Sequence, residues 1–158
     1  MLSSDKIIVS AFAYALAHDR IYLRAFVVMP DHWHALFAVR EPWTLPKFMH
    51  SFMSHVAAET SSYLRASGSA WQDSYYETLV KTARQFGFVA TYIEENPVKK
   101  GFVERAEDWD ASSASRRDLV TDPWPWLFDK EQEQRESGHK GPSHIQDPPR
   151  GVTSFPRA

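Results

Sequence analysis

Residues 21–39 read IYLRAFVVMPDHWHALFAV, and this stretch decides the fold. Ile21–Met29 is dense in β-branched and aromatic side chains, which favour a pleated strand. Pro30-Asp31 is a natural turn pair: the proline ring presets φ and the aspartate can bond nearby backbone. His32–Val39 (HWHALFAV) then reads as a second strand, returning antiparallel to the first as a hairpin. A sheet is therefore placed near the start of the chain.

Upstream, Lys6–Ala17 (KIIVSAFAYALA) is apolar and alanine-rich and reads as a buried helix. Downstream, a long helix is expected over about Leu45–Ala66, where Phe48, Phe52 and Val56 recur at four-residue steps beside Met49 and Met53. Ser67-Gly68-Ser69 ends it, and Trp71–Val80 (WQDSYYETLV) has strand propensity. Another helix is predicted over about Thr82–Glu95, with Phe86, Val89 and Ile93 on one buried stripe. Pro97 interrupts or restarts it, and Gly101 supplies the stop. The order helix–strand–strand–helix–strand–helix predicts an α+β domain built on an antiparallel sheet.

Composition sets the outer bounds. The 158 residues amount to about one domain. There is no cysteine, which excludes disulfides, cysteine-ligated zinc, iron–sulfur clusters and thiol catalysis. Eighteen Lys+Arg against 20 Asp+Glu give a formal charge of −2, so a cationic coat gripping nucleic acid by charge alone is not expected. No apolar run approaches the ~18 residues that span a bilayer, and Ile7–Ala17 lacks the flanks of a signal peptide. The charge shifts along the chain: Met1–Arg105 carries 11 basic and 10 acidic residues, and Ala106–Ala158 carries 7 and 10. Six of the ten prolines lie from Pro123 onward. Residues 1–115 are therefore expected to form the domain, and 116–158 a Pro-rich, largely disordered tail, clearest over Asp129–Ala158.

Few residues can carry chemistry. His32 and His34 flank Trp33, and on a strand their imidazoles share a face, as a pair of divalent-metal ligands would. Spacing alone leaves open whether they are ligands or ordinary polar-face histidines. Tyr92 and Asn96 are four apart on the last helix and share a face. On spacing alone, half-buried packing for Tyr92 and a helix end or cap for Asn96 are the usual roles of such residues. Taken together, a phenol beside a two-histidine metal could cleave a phosphodiester, with Asn96 as a further oxygen ligand. His50, His55, Glu94, Glu95 and the Ser112-Ser113 pair make weaker candidates. No phosphate-cradling or dinucleotide-binding glycine motif is present, so no nucleotide cofactor is expected. Basic residues are local: Lys81, Arg84, Lys99 and Lys100 bracket the Tyr92 helix, and Arg24 and Arg40 sit on the hairpin.

Three segments together resemble one family. VVMPDHWHALF (27–37) resembles the V-M-P-[ND]-H-x-H segment of single-tyrosine HUH transposases, nearest to the REP-associated tyrosine transposases and their insertion-sequence relatives. WQDSYYETLVKT (71–82) resembles the W-Q-x-x-[YF]-[YF]-[DE] strand of that branch. YIEENPVKKGFVERAEDW (92–109) resembles its Y-I-x-x-N-P-V-[KR]-x-G-[LF]-V segment. Order and spacing agree over roughly residues 6–115.

The resemblance implies a HUH-endonuclease, ferredoxin-like sheet with helices packed on one face. It implies that His32, His34 and Asn96 hold Mg²⁺ or Mn²⁺ and that Tyr92 is the nucleophile. It implies single-stranded DNA as substrate, usually beside a small hairpin, with a covalent 5′-phosphotyrosine and a released 3′-OH. Arg24, Lys81, Arg84, Lys99 and Lys100 would then contact DNA. Location would be cytoplasmic, with the bacterial nucleoid, and not at a membrane. The family includes homodimers that share sites as well as monomers. Members usually open with a strand inside the sheet, and here Met1 lies only a few residues before the helix at Lys6. That first strand is expected to be lacking, through an upstream start, a decayed copy, or replacement by another chain or segment. Glu77 stands where Asp is common. Two other classes remain beside a strand-transfer enzyme. A catalytically silent DNA-hairpin binder would form no covalent adduct, and an unrelated two-histidine hydrolase would tolerate Tyr92→Phe.

Overall fold

A computed structural model of the chain describes residues 3–64, 75–121 and 151–153. Helix α1 spans Ser4–Ala17, strand β1 Ile21–Val28, strand β2 Trp33–Val39 and helix α2 Leu45–Leu64. Helix α3 spans Ala83–Glu94, the single turn α4 Asn96–Lys99, and strand β3 Gly151–Thr153. Short 3₁₀ turns lie at Ala106–Asp108 and Arg117–Leu119. The fold is α+β, and no helix among the described residues is long and apolar enough to cross a membrane.

The hairpin forms where the sequence places it. β1 and β2 pair antiparallel from Val28↔Trp33 to Ile21↔Val39, closed by a Met29 N–H bond to the His32 carbonyl at 2.7 Å. The register shifts between Leu23 and Ala25, so Arg24 is an extra residue in a bulge. The bulge moves the inward set from Ile21 and Leu23 to Phe26 and Val28. β3 pairs antiparallel with the other edge of β2, over Leu36–Ala38.

The helices do not share one face, which corrects the expectation above. α1 and α2 pack on Ile21, Leu23, Phe26, Val28, Trp33, Ala35 and Phe37. The opposite face, with Ala25, Val27, Leu36 and Ala38, packs against Phe86, Ala90 and Ile93 of α3. All seven residues of β2 are buried, as a strand covered on both sides requires. Its near-continuous apolar run, HALFAV, already lacks the polar alternation of a one-sided strand.

Each helix follows from local chemistry. α1 buries Ile7, Ile8, Ala11, Phe12 and Ala15 along one stripe, and the Phe12 ring meets Phe26, Trp33 and Phe52 at 4.9–5.6 Å. α2 presents Phe48, Met49, Phe52 and Val56 to the same core. Thr82 caps α3: its hydroxyl accepts from Gln85 N–H at 3.1 Å, while the Gln85 amide oxygen accepts from Lys81 N–H at 3.0 Å. Pro97 opens α4, and Gly101, at φ +73°, ends it in the left-handed conformation that glycine adopts without strain.

Residues 109–121 form an irregular strap along the outer edge of β1. Ala111 and Ser113 exchange backbone bonds with Val28 and Phe26, and Thr121 bonds Leu23 through backbone and hydroxyl. The buried Ser113 hydroxyl accepts from Phe26 N–H at 3.0 Å. The domain therefore continues past the boundary expected at residue 115: Leu119 is buried in the main core. Within 129–158 only 151–153 lie inside the described residues, and they pair in the sheet. Of Trp71–Val80, residues 71–74 lie outside them, and 75–80 form no continuous strand.

Candidate active site

His32 stands at the mouth of the hairpin turn and His34 is the second residue of β2. Trp33 between them turns into the α1–α2 core, so both imidazoles face α3 and their ring centres lie 4.7 Å apart. Tyr92, in the last turn of α3, brings its ring to 6.4 Å from His34 and leaves the phenol partly exposed. Asn96 follows one turn later at the start of α4, where its side chain is buried. Three rings from two distant segments thus meet at one end of the sheet, with Asn96 one helical turn beyond Tyr92.

The electrostatics suit a neutral imidazole at His34. His32 Nδ1 lies 2.5 Å from Asp31 Oδ1. A carboxylate only accepts, so Nδ1–H donates and the bond fixes the orientation of the ring. That bond, foremost, holds the Asp31 carboxyl below the ordinary carboxylate range, and Lys100 adds to the effect. His34 is pushed down to about 4, chiefly by burial and further by His32. It is therefore uncharged at neutral pH, as a ligand must be.

The Asn96 Oδ1 atom is buried with no hydrogen-bond partner among the described residues. A buried acceptor without a partner costs free energy, so this oxygen marks a place where a donor or cation fits. Two imidazoles and one amide oxygen match the donor preferences of a divalent first-row ion. No three His, Asp or Glu side chains gather into a metal cage among the described residues, so water or substrate oxygen would have to complete the coordination.

The cationic residues divide. Lys99 sits 4.6 Å over the Tyr92 ring and 3.4 Å from Glu95. Lys100 is exposed near Asp31, and Lys81 and Arg84 are exposed at the start of α3. Arg24 instead lies 3.8 Å from Glu94 and against the Phe86 ring. A cavity of about 530 Å³ opens near Pro30 at the start of α1, but Asp5, Asp108 and Asp110 line it, which disfavours phosphate there.

Two features lay beyond sequence reasoning. The first is the Asp31 carboxylate on His32, which adjacency in sequence hinted at. The second is Glu94, a weak candidate in the sequence whose side chain is mostly buried: it accepts from Ser113 Oγ at 2.8 Å and from the two terminal Arg117 nitrogens at 2.7 and 3.0 Å. Glu94 thereby ties the Tyr92 helix to the strap and, through Ser113, to β1.

Known proteins are similar to this chain in sequence. The family model described as "Transposase IS200 like" matches residues 4–96, which include His32, His34, Tyr92 and Asn96. A REP-associated tyrosine transposase of Escherichia coli is 30% identical over 111 residues, 68% of this chain and 63% of that protein. A Haemophilus influenzae protein assigned to the same group is 28% identical over 127 residues, 73% of this chain and 71% of its own length. The chain thus spans just under two thirds of the E. coli relative. No solved structure matches it. With a family match over more than half its length, the chain belongs to the IS200-like transposases.

Proposed function

We propose that this protein cleaves and rejoins single-stranded DNA, next to a hairpin, through a covalent bond to Tyr92. The single observation that carries this is the meeting of His32, His34 and Tyr92 at one end of the sheet, with ring centres 4.7 and 6.4 Å apart. The phenol is the nucleophile there among the described residues, and its exposure lets a phosphate approach.

The Tyr92 oxygen attacks the scissile phosphorus and gives up its proton to solvent or a nearby base. The bond from phosphorus to the 3′ oxygen breaks, and that oxygen takes up a proton as a free 3′-OH. The 5′ phosphate stays on Tyr92. A 3′-OH later attacks the phosphotyrosine, restores a phosphodiester and frees the phenol. Bond energy is conserved, so no nucleotide cofactor is consumed. His32, His34 and Asn96 would hold Mg²⁺ or Mn²⁺, which supplies charge neutralisation on the phosphate. Asp31 orients His32 for this task. Lys99, above the phenol ring, places a positive charge beside the attacking group.

The test is incubation of the full chain with hairpin-bearing single-stranded DNA and Mn²⁺, followed by a denaturing gel. A protein–DNA adduct that disappears with chelator and in Tyr92→Phe is expected. Binding without adduct would instead mark a silent hairpin binder. Cleavage that persists in Tyr92→Phe would mark an unrelated hydrolase.

A further inference from the structure

One turn before Tyr92, α3 carries two residues that the fold itself does not use. Phe88 is 73% exposed, the most exposed large apolar side chain among the described residues. Beside it, Gly87 sits inside the helix, where a Cβ would meet nothing within 4 Å. Glycine is the least favourable non-proline residue in a helix interior, and here no close packing requires it. An exposed ring and a bare helix backbone are each unfavourable for stability, and they stand side by side.

Their position gives them a use. Phe88 and Tyr92 are i and i+4 neighbours, so their side chains lie about one helical turn apart on the solvent face. Arg84, one turn further back, shares that face and makes no salt bridge among the described residues; Lys99 closes the other end over the Tyr92 ring. An aromatic ring between cations, next to a nucleophile for phosphodiesters, matches the pattern by which proteins hold single strands: charge tracks the backbone and rings stack on bases. A protein partner would leave the cations without a role.

We propose that Gly87 and Phe88 form a stacking platform for a base flanking the scissile phosphate, with Gly87 letting the strand come close to the helix. The proposal rests on the single-strand reading above. It gives Phe88 a positioning role: by fixing the neighbouring base, it sets where the phosphate lies against Tyr92.

The experiment measures equilibrium binding of a fluorescent hairpin oligonucleotide with single-stranded flanks to the full chain, in a Tyr92→Phe background that stops the reaction. Phe88→Ala is expected to raise Kd roughly tenfold, with the salt dependence unchanged because no charge is lost. Phe88→Trp is expected to keep the affinity. Gly87→Leu is expected to raise Tm, since leucine favours helix, while weakening binding; a merely structural residue would not separate the two. If Phe88→Ala binds as tightly as its parent, the platform is wrong while the single-strand reading stands. If Phe88→Ala changes the oligomeric state instead, the ring is a protein contact and the platform is equally wrong. If the parent binds no single strand, both fall.

Discussion

His34 and Asn96 show how a site can be built against the stability of its own fold. His34 is pushed to about 4 when folded, against an ordinary value of 6.5, so the unfolded chain binds the extra proton more readily. Stability is full above pH 6.5 and falls as the pH drops through the window between 6.5 and about 4. The two and a half units correspond to about 3 kcal/mol at most. Urea titrations at neutral and acid pH should show this loss in the wild type and a smaller one in His34→Gln. Asn96→Ala is expected to leave metal-free stability within about 1 kcal/mol, because its buried oxygen has no partner to lose. Adduct formation should nonetheless drop sharply, a separation that paired melting and cleavage assays would read.

At the scale of elements, the hinge of the account is how α3 is held. Its apolar stripe seats it on Ala25, Val27 and Leu36, and Glu94 fixes its end through Ser113 and Arg117. Glu94→Ala removes three hydrogen bonds, one to a fully buried hydroxyl, and should cost about 1–3 kcal/mol by denaturation. Arg117→Ala should cost less, about 1 kcal/mol or under, since Arg117 is largely exposed. The elements themselves were legible in sequence: the hairpin from its β-branched runs, α2 and α3 from their periodicity, and the end of α4 from Gly101. The meeting of His32 and His34 with Tyr92 was legible only as a resemblance, because spacing cannot bring two segments together. The strap over 109–121 was not legible. It pairs through serine and threonine hydroxyls and single backbone bonds, which leave no periodic signal. The two-sided sheet was half-legible, in the unbroken burial of β2, and was masked by the turn residues around it.

Over the whole molecule, charge and edges set the terms of binding. With a net charge of −2, the proposed DNA substrate would be held by a local face and not by the global field. Four cations flank α3 and α4, namely Lys81, Arg84, Lys99 and Lys100. Releasing counterions from about four single-strand phosphates gives a slope of log affinity against log salt of roughly −3. A much steeper slope would mean that cations elsewhere on the molecule take part. The strap also defines the folding unit. A chain cut after residue 115 loses the Arg117–Glu94 pair, buried Leu119 and both Thr121 bonds to Leu23. It should be less stable than one cut after 121 by several kcal/mol, of order 3, in parallel melts.

The central claim is that Tyr92 is the atom-bearing partner of DNA. The most direct measurement is mass spectrometry of the tryptic peptide 85–99 after reaction with hairpin-flanked single-stranded DNA and nuclease trimming. The account predicts a nucleotide phosphate added to that peptide and fragment ions that place it on Tyr92. An adduct on another residue, or an unmodified peptide beside cleaved DNA, would contradict it.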